Sequence, residues 1–284
     1  MATLVDGNAI LRETQLGVGE AIAQHVATTG IAPRIVVVQA GDDAAATLYT
    51  RRIARNLQPA GITVDITQVA IDTSLREAQD LIRSLSTDSS VHGIQLQTPM
   101  PAHLPLSALV LALDPKKDLD GVHPHNAGLL AQGQPDIVPA TPLGGFEILR
   151  RHAIITEGAR AVILGRSPTV GRPMALLLLI HHATVTVCHT RTRDLPAVTR
   201  EADILVCAAG KAGLVTTNMV RAGAAVIDFG VNVVDGKVVG DAVPEVAEVA
   251  GLFTPVPGGT GPVTNAMLLR NTLALYERAL GDIP

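Results

Sequence analysis

The chain has 284 residues, 47% of them apolar, with 22 basic side chains against 26 acidic ones and a formal net charge of −4. That length predicts about two domains, each with its own core, and the mild charge without a like-charge block argues against nucleic acid or an anionic membrane as partner and for a small-molecule ligand. No apolar run reaches the roughly 18 residues of a membrane span, and the opening MATLVDGNAILRETQ carries Asp6 and Glu13 with no basic lead into an apolar stretch, so a soluble, cytoplasmic protein is expected.

In chain order, an amphipathic stretch at 9–27 predicts a helix and the β-rich run 34–39 a strand. Apolar spacing at Leu48, Ile53 and Leu57 predicts a helix closed near Gly61, followed by a strand at 62–69, a helix at 74–85, a short strand at 93–97 and a helix at 104–113. Such alternation implies βαβ crossovers and a largely parallel sheet. The polar, turn-rich segment 114–142 reads as the interdomain region, and a helix follows at 143–152. A second alternation then predicts strands at 161–164, 184–188, 203–207 and 224–228 and helices at 172–181, 194–201 and 216–222, the order of a dinucleotide-binding half-unit. Near the end, TPVPGGTGPVT at 254–264 predicts a rigid loop before a helix reaching about residue 280, because Pro fixes φ while Gly permits positive φ.

The most informative stretch is AVILGRSPTVGRPMALLLLIHH at 161–182, where a turn bounded by Gly165 and Gly171 joins an apolar strand to an apolar helix with Pro173 in its first turn. Glycines allow close backbone approach, and a helix start offers unpaired N–H groups at a positive dipole end, so the turn favours an anionic ligand. Its spacing is not Gly-x-Gly-x-x-Gly, and taken alone it fits an ordinary strand-to-helix connection equally well. Four further segments, Tyr49-Thr-Arg-Arg, GIQLQTPMP from Gly93, KDLDG from Lys117 and PGGTGP from Pro257, each lie beside a predicted strand or domain junction, where open α/β sheets place their ligands. Singly, Tyr49 reads equally as a core aromatic, Gln97 as a polar strand end, and Asp118 with Asp120 as a solvated loop. Cys188 and Cys207 lie in apolar runs and are expected to be buried free thiols, and Cys188-His189 lacks a third partner for a nucleophilic triad.

Taken together, GIQLQTPMP, KDLDGVHPHNAG, PATPLGG, GRSPTVGRPMALLL, ATVTVCHTRT, ADILVCAAGK, GAAVIDFGVN, VVGD and TPVPGGTGPVT make the chain resemble the bifunctional methylenetetrahydrofolate dehydrogenase/methenyltetrahydrofolate cyclohydrolase family over nearly its full length. The resemblance implies two α/β domains across a cleft, a catalytic folate-binding domain of residues 1–140 and 264–284 and a Rossmann-like NADP-binding domain of residues 141–263, assembled as a homodimer. It implies oxidation of 5,10-methylenetetrahydrofolate to the methenyl form and hydrolysis to 10-formyltetrahydrofolate, within the one-carbon metabolism that feeds purine biosynthesis. By position it puts Gly165, Arg166, Ser167, Thr190 and Val231 at NADP, with Arg166 and the 189–192 turn toward a 2′-phosphate. It further implies that Tyr49 stacks on the pterin side, Asp120 accepts hydrogen bonds from the pterin amino face, Gln97 positions the one-carbon unit, and Pro257, Gly258 and Gly259 border the folate. Asp118, Asp120, His123 and His125 follow the family pattern KD-x-DG-x-HP, which is not a metal site, so no metal is expected.

One departure bears on the chemistry. The family tyrosine is followed four residues later by the lysine of the cyclohydrolase step, and here that position is Ile53; Ala46, His92, Ala140, Thr260 and Asn265 also replace the usual residues. Isoleucine cannot transfer a proton, and nearby Arg51, Arg52 and Arg55 stay protonated, so dehydrogenation is expected to outlast hydrolysis. The alternatives are a dehydrogenase for a different one-carbon carrier and a non-catalytic folate- or dinucleotide-binding paralogue.

Overall fold

Valine- and isoleucine-rich runs form the central strands, and the segments between them fold back as helices, in a computed structural model that describes residues 1–41 and 44–281, the side chains of residues 44–46 and 49 excepted. The chain opens with β1 (Thr3–Leu4) and α1 (Gly7–Thr29), then continues through β2 (Arg34–Ala40), α2 (Ala44–Leu57), β3 (Thr63–Val69), α3 (Leu75–Thr87), β4 (Gly93–Leu96), α4 (Leu106–Val110), α5 (Pro124–Ala131) and α6 (Ala140–Arg151). A second series follows: β5 (Arg160–Leu164), α7 (Gly171–Ile180), β6 (Thr184–Cys188), α8 (Leu195–Thr199), β7 (Ile204–Cys207), β8 (Ala225–Asp228), β9 (Asn232–Val234), β10 (Lys237–Val239), β11 (Leu252–Phe253) and α9 (Thr260–Gly281).

Two α/β units result. One comprises Met1–Leu11, Leu130–Gln134 and Pro139–Met267, the other Arg12–Leu129, Pro135–Val138 and the chain from Leu268. The smaller sheet, in the second of these, runs β3-β2-β4 and is parallel throughout, with Ile35 opposite Gly93 and Val37 opposite Gln95. Side chains alternate along a strand, so Val36, Val38, Ile94 and Leu96 share one face, where they pack with Ile82 of α3 and Leu109 of α4. α3 starts where its sequence says it should: Ser74 Oγ accepts from Glu77 N at 3.3 Å and the Glu77 carboxylate accepts from Ser74 N at 2.9 Å, a reciprocal cap.

The larger sheet runs β1-β11-β8-β7-β5-β6, again all parallel, over a core that includes Val162, Leu164, Leu205, Cys207 and Val226. After β5 the chain crosses outward to β6, then back over β5 to β7, and that reversal leaves a crevice at the carboxyl ends of β5 and β7. Cys188 and Cys207 are free and buried on either side of Leu164. No helix among the described residues is long and apolar enough to cross a membrane.

Several expected elements differ. The helix expected at 216–222 is a single 3-10 turn at Thr217–Met219, and those at 104–113 and 194–201 shorten to α4 and α8. The segment 114–142 is not simply linker: it contains α5, and Asp118 bridges to Ile94 in parallel, extending the small sheet beyond β4. The two-residue strands β1 and β11 and the β9–β10 hairpin were not anticipated.

Candidate functional site

The turn after β5 is shaped by steric necessity. A Cβ on Gly165, whose φ is 122°, would overlap the carbonyl oxygen of Ala208, and one on Gly171 would overlap the carbonyl of Gly165. Ser167 then closes the turn: its Oγ accepts from Val170 N at 3.1 Å and Gly171 N at 3.3 Å, and its carbonyl accepts from Arg172 N at 3.1 Å. With Pro173 lacking an N–H, the amides at the start of α7 that the sequence left unpaired are taken by Ser167, and what the helix still offers an anion is its dipole.

This turn forms one side of a cavity of about 640 Å³ at the sheet's crossover point, lined among others by Gly165, Arg166, Ser167, Thr190, Ala208 and Lys211. The turn after β6 is ordered locally, with His189 N donating to Thr192 Oγ1 at 2.9 Å and Arg191 N to His189 Nδ1 at 3.1 Å. Residues 188–193 hold Arg191 and Arg193 but no carboxylate, and Asp194 is occupied capping α8 through Ala197 N at 3.3 Å. A ribose 2′-hydroxyl is ordinarily read by an acid at this place, and a 2′-phosphate by arginine. Burial pushes the Cys188 thiol up, which disfavours the thiolate. Size, glycine cradle and cations all fit a phosphorylated dinucleotide.

Of the remaining nominated residues in this unit, Val231 is 72% exposed, beyond β8 and outside the residues lining the cavity. Pro257, Gly258 and Gly259 lie in the loop before α9, which Gly7 N holds by donating to the Gly258 carbonyl at 3.0 Å and Thr260 Oγ1 by donating to the Asp228 carbonyl at 2.8 Å.

In the other unit, Gln97 and Asp120 stand at the carboxyl end of the small sheet, whose β3-β2-β4 order places its own reversal between β2 and β4. Period-two alternation puts Gln39, Gln95 and Gln97 on one face, and of the three only Gln97 is among the site residues expected from the sequence. All three are buried. Gln97 Nε2 donates to the Thr98 carbonyl at 2.7 Å; Gln39 donates to Thr47 Oγ1 at 2.8 Å and accepts from Thr50 Oγ1 at 3.0 Å, tying β2 to α2. Gln95 Nε2 lies 3.4 Å from Asp120 Oδ1, and its side-chain Oε1 is buried with no hydrogen-bond partner among the described residues. The signal for both extra glutamines was present: a polar residue on the ligand-side face of an otherwise apolar parallel strand.

Asp120 is half-buried and faces the charge of Asp118; partial removal from water and that charge push its carboxyl up to about 7 against the weaker opposing effect of Gln95. Asp118 is fully buried rather than a solvated loop residue; its Oδ2 accepts from His123 N at 2.7 Å and Asn126 Nδ2 at 2.8 Å. Asn271 of α9 pins the same segment by donating to the carbonyls of Leu119 at 3.1 Å and Val138 at 3.0 Å. His92 sits at the amino end of β4, away from this group; burial pushes its pKa down, and Nδ1 accepts from Arg34 N at 3.1 Å. It therefore has a packing role and does not reshape a substrate pocket at the carboxyl end of the sheet.

Position 53, one helical turn after Tyr49 on α2, is fully buried, whereas Arg51, Arg52 and Arg55 are exposed. Arg52 is on the solvent side of α2 and does not replace a group at 53. The side chains of Ala46 and Tyr49 lie outside the described residues.

Comparison with known proteins matches residues 5–120 to the catalytic domain of tetrahydrofolate dehydrogenase/cyclohydrolase and residues 139–280 to its NAD(P)-binding domain. The chain is 50% identical over 282 residues to the bifunctional protein FolD of Chloroflexus aurantiacus, covering 99% of each. Among solved structures it is similar to the bifunctional methylenetetrahydrofolate dehydrogenase/cyclohydrolase FolD of Campylobacter jejuni (39% identity, 98% and 100% coverage of this chain and that one, TM-score 0.95). It is also similar to FolD of Trypanosoma brucei, solved with NADP and an inhibitor (33% identity, 98% coverage of each, TM-score 0.94). The chain belongs to the tetrahydrofolate dehydrogenase/cyclohydrolase family.

Proposed function

We propose that this protein oxidises 5,10-methylenetetrahydrofolate to 5,10-methenyltetrahydrofolate with NADP, as a cytoplasmic enzyme of one-carbon metabolism. The observation that carries the reading is the cavity built on the Gly165–Gly171 turn, with arginines and no acid at the end of β6. NADP, when bound, accepts the hydride. Gly165, Arg166, Ser167, Thr190 and Val231 hold it, with Arg166 on the 2′-phosphate; Tyr49 stacks on the pterin, Asp120 accepts from its amino face, Gln97 orients the one-carbon unit, and Pro257, Gly258 and Gly259 border the folate. In domain terms, residues 1–140 and 264–284 take the folate and residues 141–263 the dinucleotide; the family matches at 5–120 and from 139 support the boundary near 140, whereas the match to the NAD(P)-binding domain runs on to residue 280.

The first half-reaction moves a hydride from the methylene carbon and leaves a methenyl cation; no proton changes hands, so the residues need only orient and exclude water. Hydrolysis is different: water adds to the methenyl cation and gives up both of its protons as the formyl C=O forms, one ending on the ring nitrogen whose bond to that carbon breaks and one leaving to solvent. Ile53 can neither take nor give a proton, and hydrolysis runs at its spontaneous rate.

Purified protein with methylenetetrahydrofolate should form NADPH, and Arg166→Ala should raise the KM for NADP about tenfold while leaving that for NAD within about twofold. No NADPH formation by the unaltered protein overturns the reading; equal effects on the two cofactors overturn the role of Arg166. A homodimer is supported by the β9–β10 hairpin, where Val233, Val234 and Val238 are 74%, 44% and 42% exposed. Sedimentation should give twice the chain mass, and a monomer at micromolar concentration would refute it.

A further inference from the structure

The motifs IDFGVN and VVGD contribute two carboxylates that no step of the reaction uses, and both are fully buried. They are interlocked. Asp228, at the end of β8, accepts through Oδ1 from Gly230 N at 2.7 Å and Asp241 N at 3.1 Å, and through Oδ2 from Ala242 N at 2.8 Å. Asp241 in turn accepts through Oδ2 from Ala209 N at 2.6 Å and Gly210 N at 2.9 Å, and through Oδ1 from Lys211 N at 2.8 Å and Asn232 Nδ2 at 3.0 Å.

The glycines of both motifs follow from this arrangement. A Cβ on Gly230 would overlap the backbone nitrogen and carboxylate of Asp241, and one on Gly240 would overlap the Asp228 carboxylate. The carboxylates fill the space that side chains at those positions would need. Three consecutive amides directed at one carboxylate form a concave anion nest, here satisfied from within the protein. Those amides belong to the loop after β7, and Ala208, Ala209 and Lys211 of that loop line the cavity described above. The Ala208 carbonyl is also the group that forbids a side chain at Gly165. Asp228 thus orders the 241–242 backbone, Asp241 orders the loop, and the loop sets the shape of the wall facing the glycine turn.

We propose that Asp241 is a positioning residue for the dinucleotide: its carboxylate fixes the Ala209–Lys211 backbone in the form that binds NADP. This rests on the reading of the cavity as the NADP site. Asp241→Asn keeps the size but replaces one twice-bonded acceptor oxygen by an amide that donates, so at least one loop N–H faces a donor instead of an acceptor.

The test is direct NADP binding by calorimetry together with hydrogen exchange, on the unaltered protein and on Asp241→Asn. The variant should bind NADP about tenfold more weakly and exchange the amides of residues 209–211 faster, with its affinity for folate within about twofold. Asn232→Ala removes a single bond to Oδ1 at the edge of the network and should weaken NADP about threefold, which keeps the test available if Asp241→Asn does not fold. Faster exchange with unchanged NADP affinity would make Asp241 structural only and overturn the proposal, as would unchanged exchange. Failure of the unaltered protein to bind NADP would instead remove the reading of the cavity, and the proposal with it.

Discussion

The Ile53→Lys variant should hydrolyse methenyltetrahydrofolate at least about 100 times faster than the unaltered protein, whose rate should match that of the substrate alone in buffer. Residue 53 is fully buried on α2, one turn from Tyr49 and in the unit that holds Gln97 and Asp120. Burial disfavours an ammonium, so an amine there has a lowered pKa and exists partly neutral near pH 7, the form that can take a proton from water and return it to the departing ring nitrogen. The exposed arginines nearby cannot do this, because guanidinium does not deprotonate in the accessible range. Removing well-packed isoleucine should cost about 2–4 kcal/mol of stability at neutral pH. With the folded pKa below the unfolded one, the unfolded chain binds more protons in between, so the deficit shrinks as pH rises toward about 10. Ile53→Met, similar in volume and without a titrating group, should leave hydrolysis at the spontaneous rate. Enzyme-dependent hydrolysis by the unaltered protein would show that another group performs the step, and a folded Ile53→Lys variant without a gain would refute the assignment to position 53.

What could be read from the sequence divides along the range of the interactions involved. The long β2, β5 and α7 segments carry their own periodicity, and α3 announces its start through Ser74 and Glu77, so these were legible. The β9–β10 hairpin also had a local signal that went unread: Asp235-Gly236 between valine runs, both with positive φ (49° and 74°), as a two-residue turn requires. β1 and β11 had none. Two residues cannot show a period: β1 is a strand because Thr3 pairs with Leu252 at the far end of the chain, and β11 because it lies between β1 and β8. α5 was hidden in a polar segment without a clear apolar stripe. The site shows the same division. Gly165 and Gly171 declare themselves through backbone demands that act over a few residues, whereas the buried state of Asp118, the Gln95–Asp120 contact and the Asp228–Asp241 interlock arise from segments joined only in three dimensions. The missing lysine was visible as a letter, but that position 53 is wholly enclosed, which decides how an amine there would titrate, was not.

Asp120→Asn should lower kcat/KM for methylenetetrahydrofolate about 100-fold at pH 8 and should also abolish the acid limb of its pH profile. The carboxyl sits near the middle of the working pH range because partial burial and the neighbouring Asp118 push it up to about 7, while the Gln95 hydrogen bond acts in the other direction. An ionised carboxylate accepts from the amino and ring N–H groups of a pterin through both oxygens; a protonated one loses an acceptor and places a hydrogen where a donor must approach. For the unaltered protein kcat/KM should therefore rise about tenfold per unit below pH 7 and level off above it, since this parameter reports the free enzyme. Binding shifts the same equilibrium. The ligand's donors favour the charged form, so below pH 7 folate binding should release a proton, measurable as a dependence of the calorimetric heat on the buffer's ionisation enthalpy. Stability runs the opposite way: a native pKa above the unfolded value near 4 means that the folded chain holds the extra proton between those limits, so this carboxyl favours folding at low pH and that contribution is lost as pH rises to about 7. Asparagine at 120 removes all three dependences together. If the acid limb survives in Asp120→Asn with unchanged midpoint, the titrating group lies elsewhere and Asp120 does not read the pterin; if the limb and the proton release vanish together, one carboxylate sets both how tightly the folate binds and at what pH the enzyme works.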